Sequence, residues 1–184
     1  MNWLAFTAAA YIAYALQGGL APLWTLGGVT PNLLLVLMIF VGLQAPRPVA
    51  LVAALLLGLL MDLRPGPLPD GAALLGPHAL GYLVGGYATL QLRSLLFRGS
   101  VISLVVMTLL VGGFTALTEV LLYSLRGLPL LAGEPMPWRP LTQLLIRGQG
   151  LLYTAAVAVP AGLLLNATRK YWGFTSRTRG EKIF

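Results

Sequence analysis

The sequence predicts an all-α integral membrane protein with six transmembrane helices, and three observations carry that reading. Hydrophobic residues make up 58% of the chain and charged residues only 9%, against roughly 25% charged in soluble domains. Mean hydropathy is +0.84, and a water-soluble fold of 184 residues could not hide so much apolar surface. The first charged side chain is Arg47. As a single helix the preceding segment would reach about 69 Å at 1.5 Å per residue, more than twice a hydrocarbon core of about 30 Å, so it must hold two spans.

The spans fall at about residues 3–20, 30–45, 48–63, 71–92, 100–125 and 141–167, which together form one transmembrane domain over residues 1–167. The first lacks the basic flank and small-residue cleavage site of a signal peptide and reads as a retained helix. It ends in a turn region marked by Gly18, Gly19 and Pro22, with Trp3 and Trp24 expected at opposite interfaces. The second opens at Thr30 and Pro31, a hydroxyl cap followed by proline at the first helical position. Pro46, Arg47 and Pro48 turn the chain into the third, which ends at Asp62 or Leu63 ahead of a proline-rich loop. The fourth carries Pro77, expected to kink it. Arg93 and Arg98 bracket the next turn, and the fifth is long enough to tilt. A loop containing Met136 and Trp138 leads to the sixth, where Pro160 is a second candidate kink. Residues 168–184 form a basic tail.

Lys and Arg counted on alternate sides give eight on the side of the N-terminus and three on the other, with Arg147 inside the sixth span. The positive-inside rule then places both termini in the cytoplasm. The net charge of +7 therefore belongs to the ends of apolar segments facing a lipid bilayer, and nucleic acid is not an expected partner. Tyr171 and Trp172, beside Arg169 and Lys170, read as an anchor at the inner headgroups.

An ionisable group inside a span costs at least ~2.5 kcal/mol at mid-membrane, so each needs a reason. Asp62, His78, Glu119 and Arg147 qualify, and the predicted topology puts all four in the outer half with Gln17, Asn32 and Gln143. Two readings stand side by side. Glu119 and Arg147, from adjacent antiparallel helices at similar depth, can neutralise each other as an internal ion pair; or the same residues line a polar pocket that opens outward and holds a solute. His78 is either a hydrogen-bonded histidine at a helix interface or a group with a catalytic or ligand-binding role. It has no second histidine, and the few carboxylates show no metal-ligand spacing. Cysteine is absent, and no serine or threonine sits on a recognisable nucleophile elbow. No catalytic, cofactor-binding or metal-binding residue is assigned.

Small residues mark packing faces. Ala5, Ala9 and Ala13 repeat on the first helix, Gly81, Gly85 and Gly86 thin the fourth, and Thr108, Gly112, Thr115 and Glu119 share one face of the fifth. Such spacing lets backbones approach closely. It suits packing within the chain and leaves a homodimer seam open.

The run TPNLLLVLMIFVGL, then GLLMDL, then LLGPHALGYLVGGY resembles the rod shape-determining protein MreD family of bacteria. The matching positions are Pro31, Asn32, Gly58, Asp62, Gly66, Gly76 and Tyr87; Pro65, Pro67, Pro69 and Asp70 depart from the pattern by lengthening the loop. The resemblance implies a non-enzymatic inner-membrane component of the cell-wall elongation machinery, without a cofactor. Its implied partner is the bitopic protein MreC and, through it, MreB filaments, RodA and a class B penicillin-binding protein. It also implies a fold similar to the substrate-binding subunits of energy-coupling-factor vitamin transporters. The alternative function is thus a solute-binding subunit of a vitamin-type transporter, with the outer-half polar cluster forming an outward-facing pocket.

Overall fold

A computed structural model describes residues 1–19, 23, 25–64, 76–95, 100–126 and 139–174. Pro22, Trp24, Pro65, Gly66, Pro67, Pro69, Asp70, Arg98, Met136, Trp138 and the end of the basic tail lie outside them. Six α-helices run in order through the described residues: α1 Trp3–Gly19, α2 Leu33–Gln44, α3 Arg47–Asp62, α4 Pro77–Leu92, α5 Val101–Arg126 and α6 Pro140–Ala167. A single 3-10 turn, Arg169–Tyr171, follows. The only β contact among the described residues is a bridge between Leu26 and Val29, closed by Gly27 and Gly28 at positive φ.

The architecture follows from α2. Every residue from Leu34 to Leu43 is buried, as expected of a helix that is apolar all round, and the other five helices all pack against it. Around this shaft α3, α4, α5 and α6 pack as consecutive antiparallel neighbours, and α1 lies on α2 and α3. The antiparallel sense is visible in their close approaches. A Cβ at Gly81 would meet Glu119 Cγ at 2.9 Å, one at Gly86 would meet Ala54 Cβ at 2.7 Å, and one at Gly162 would meet Leu104 Cδ2 at 2.8 Å. Glycine is what brings those backbones together.

Polarity is inverted relative to a soluble protein. Thr108, Thr115 and Glu119 on α5 are buried while Ile102, Leu117 and Leu121 on the same helix are exposed. Two helical stretches, Val101–Leu125 and Pro140–Ala167, are long and apolar enough to cross a membrane. The shorter α2, with 12 residues, extends about 18 Å.

The structure moves several expected boundaries. The cap of α2 is Asn32 rather than Thr30, because the Asn32 side chain accepts from Leu35 N–H; Pro31 therefore precedes the helix instead of opening it. Helix α4 begins at Pro77, with Gly76 ahead of it at φ 126°. Pro77 occupies the first turn, where its missing N–H breaks no helical bond, so it starts this helix and does not kink it. Helix α6 continues through Pro160. Trp172 is 2% exposed: its ring stacks on Phe174 and meets Phe40 edge-on. It turns into the core at this end of the bundle instead of pointing outward as an anchor, whereas Tyr171 is exposed.

Candidate functional site

Gly76, Pro77 and His78 set a problem in local structure. Glycine offers no side chain to cap α4 and proline offers no N–H, so the orphan donors of the first turn need a partner from elsewhere. Asp62, the last residue of α3, supplies it. Its Oδ2 accepts from Gly76 N–H at 2.8 Å and Ala79 N–H at 3.0 Å, and its Oδ1 accepts from His78 N–H at 2.9 Å. His78 Nδ1 lies 2.9 Å from the same Oδ1. A buried carboxylate at a helix N-terminus is favoured by both the free N–H groups and the helix dipole. The approach is possible because α3 has Gly58 one turn earlier, where a Cβ would sit 2.6 Å from Ala79 Cα and 2.7 Å from the His78 carbonyl.

From His78 the network continues across two more helices. The other ring nitrogen, Nε2, faces Glu119 Oε2 at 3.7 Å, and that oxygen is paired with Arg147 Nη1. The Arg147 guanidinium also lies over the Tyr123 ring, 5.9 Å from its centroid, a cation–π distance. Asp62, His78, Glu119 and Arg147 thus link α3, α4, α5 and α6 at one end of the bundle. Arg147 Nε is buried and makes no hydrogen bond among the described residues.

Asn32 is a second hub at the same end. Its Oδ1 accepts from Leu35 N–H at 3.0 Å and from the Tyr82 hydroxyl at 2.8 Å, and its own N–H donates to Thr154 Oγ1 at 2.9 Å. Thr154 in turn donates to the Gly150 carbonyl. Gln17 on α1 closes the group, with Oε1 3.5 Å from Leu34 N. Between the two hubs is a cavity of about 250 Å³ lined by Gln17, Asn32, Thr115, Glu119, Arg147 and Thr154 together with apolar residues.

Of the positions singled out in the sequence, Gly58, Asp62, Gly76, His78, Glu119 and Arg147 meet in one cluster, and Pro31 and Asn32 lie beside it. Tyr87 does not join them: it is 57% exposed on α4. Gly66 lies outside the described residues. The buried tyrosine of the GYLVGGY run is Tyr82, fully enclosed. Its signal was its place four residues after His78, hence on the same helix face. Thr154 carried no signal beyond being a hydroxyl in an apolar helix. No group of three His, Asp or Glu side chains among the described residues is placed to hold a metal ion.

A family model described as rod shape-determining protein MreD matches residues 1–128, which takes in α1 to α5 and leaves Arg147 and Thr154 beyond the matched segment. No curated protein and no solved structure matches. The matched family is one of membrane proteins, in keeping with the apolar exterior and buried charges described above. By a match over more than two thirds of its length, the chain belongs to the MreD family of rod shape-determining proteins.

Proposed function

We propose that this chain is a non-enzymatic, multi-pass scaffold of the bacterial inner membrane that binds MreC and, through it, joins MreB, RodA and a class B penicillin-binding protein in cell-wall elongation. All six helices span the membrane in this reading, with both termini in the cytoplasm and the Asp62 cluster in the outer half. The shortness of α2 fits such a span, because irregular backbone at membrane depth is tolerated where protein surrounds it, and Asn32 N–H already has Thr154 as its partner. Helices of 16 or 17 residues reach about 24–26 Å, a mismatch that local bilayer thinning accommodates.

The single observation that carries the scaffold reading, beyond the family match, is where the Asp62 carboxylate points. Both of its oxygens are spent on the first turn of α4 and on His78, which rigidifies a helix joint and leaves neither oxygen free to act as a base. The test is to recover the tagged chain from native membranes and identify its companions. Stoichiometric recovery of a single-span partner is expected; a preparation that brings no such protein but retains a small molecule would sink the scaffold reading.

One observation favours the second reading, a solute-binding membrane subunit. The cavity beside Asn32 is lined by Arg147 as well as by Thr115, Glu119 and Thr154, and that guanidinium keeps at Nε a donor with no hydrogen-bond partner among the described residues. Mass spectrometry of the extracted protein separates the two, since a transporter subunit should carry a solute of a size that fits about 250 Å³ and release it when Arg147 is replaced by Gln.

A further inference from the structure

Helices α1 and α6 pack on α2 from two sides, and a groove of about 330 Å³ remains between them. Its walls are Ile12 and Ala13 from α1 and Ala161 and Leu164 from α6, its floor is Val36 from α2, and it ends at Thr168 and Trp172. Nothing charged among the described residues lines it. Along α6 the groove runs from Val157 to Thr168, which is about 17 Å at 1.5 Å per residue. That is close to one leaflet, half of a hydrocarbon core of about 30 Å. Immediately after Thr168 come Arg169 and Lys170, both exposed, with Lys170 Nζ held 4.9 Å from the Tyr171 ring centroid. The acidic side chains among the described residues, Asp62 and Glu119, belong to the opposite end of the bundle.

We infer that this groove holds an acyl chain of an anionic phospholipid whose phosphate sits at Arg169 and Lys170. The length of the groove matches one acyl chain in one leaflet, and the cations stand where that leaflet's headgroup would lie. Basic side chains at such a boundary attract anionic lipid, and long basic side chains reach readily to headgroup level. A partner's transmembrane helix fits less well: it would need about 30 Å of groove and gains nothing from the basic pair. The lipid would fill the gap between α1 and α6 and so keep α1 against α2. The inference rests on the membrane reading of the chain and not on any partner.

The test uses the full chain, purified in mild detergent and supplied with dioleoylphosphatidylglycerol or dioleoylphosphatidylcholine, with bound lipid read by native mass spectrometry. The expected result is retention of phosphatidylglycerol in preference to phosphatidylcholine. Arg169→Gln and Lys170→Gln should each lower that preference about fivefold, and Ala161→Trp, which fills the groove, should abolish retention of either lipid. If Ala161→Trp does not fold, Ile12→Trp decides instead, because Ile12 is 57% exposed at the rim and can be enlarged without disturbing the core. Equal retention of the two lipids, or undiminished binding in a folded groove-filled variant, overturns the inference. So does a photo-crosslinker at position 12 that captures a protein helix in native membranes and no lipid.

Discussion

At the end of the bundle that carries Asp62, four helices are joined through ionisable side chains; at the opposite end, α2, Asn2 and the residues just after α6 are joined through backbone carbonyls and stacked rings. There, Arg93 donates to the Ala45 carbonyl at 2.8 Å and the Gly42 carbonyl at 3.3 Å, closing the C-terminal end of α2. Asn2 N–H donates to the Trp172 carbonyl at 2.7 Å, and Phe40, Trp172 and Phe174 pack together. The first end depends on pairing of buried polar groups, the second on backbone hydrogen bonds and ring packing. A carboxylate with four partners has one arrangement, and loss of any partner leaves buried polarity exposed to an apolar medium. An aromatic cluster tolerates rearrangement as long as volume is kept.

Asp62→Ala should destabilise the charged end most. It orphans the Gly76, His78 and Ala79 N–H groups together, and unsatisfied buried donors cost about 1–3 kcal/mol each. We expect a loss of about 3–5 kcal/mol, read by titrating the detergent-solubilised protein with SDS, and reduced recovery of its partner because the start of α4 loosens. Asp62→Asn keeps one acceptor oxygen and should recover part of the loss. If Asp62→Ala unfolds no more easily than the parent, the capping account of the cluster is wrong.

Next in size is the Glu119–Arg147 pair. Glu119→Gln or Arg147→Gln leaves the other charge buried beside His78, a change that typically costs about 3–5 kcal/mol in a buried pair and less here because the Arg147 side chain is 23% exposed. Combining the two should cost clearly less than the sum of the singles. Additive losses in the same SDS titration would show that the two side chains act independently.

These first two tests address what could and could not be read from the chain. The inward direction of Glu119 was legible because Thr108, Gly112, Thr115 and Glu119 recur at helical spacing, and depth along antiparallel helices put Arg147 opposite it. The role of Asp62 was not legible. It depends on contacts with Gly76, His78 and Ala79 across a loop, and no periodic pattern reports a cap supplied by a different helix. The sequence did offer a clue in its negative form: Gly76 and Pro77 together leave α4 without a cap of its own. The start of α2 failed for a related reason, since Thr30 and Asn32 are both good caps, and Tyr82 and Thr154 chose between them through tertiary bonds. Trp172 misled because an aromatic residue beside Arg169 and Lys170 looks interfacial whether it points outward or, as here, onto Phe40.

A smaller effect is expected from Gly58→Ala. The added Cβ would press on the Ala79 backbone, which cannot rotate away as a side chain would, so α3 and the first turn of α4 must separate. Overpacking of this kind costs about 1–3 kcal/mol. The sharper readout is interaction with Asp62: once Asp62→Ala has already released the turn, adding Gly58→Ala should cost little more. A full additional loss would mean that Gly58 serves general packing and not the carboxylate's reach.

The smallest effect should fall at the opposite end. Trp172→Phe removes the indole N–H that donates to Thr168 Oγ1 at 3.2 Å, worth about 1 kcal/mol, while keeping a ring to pack between Phe40 and Phe174. Because the hydroxyl of Thr168 also bonds to the Leu164 and Leu165 carbonyls, its loss of one donor leaves it satisfied. The SDS midpoint should therefore shift less for Trp172→Phe than for Asp62→Asn, even though the tryptophan substitution removes more atoms. A reversed order would mean that the aromatic end, not the charged one, sets the stability of the bundle, and that the Asp62 cluster persists for something other than joining helices.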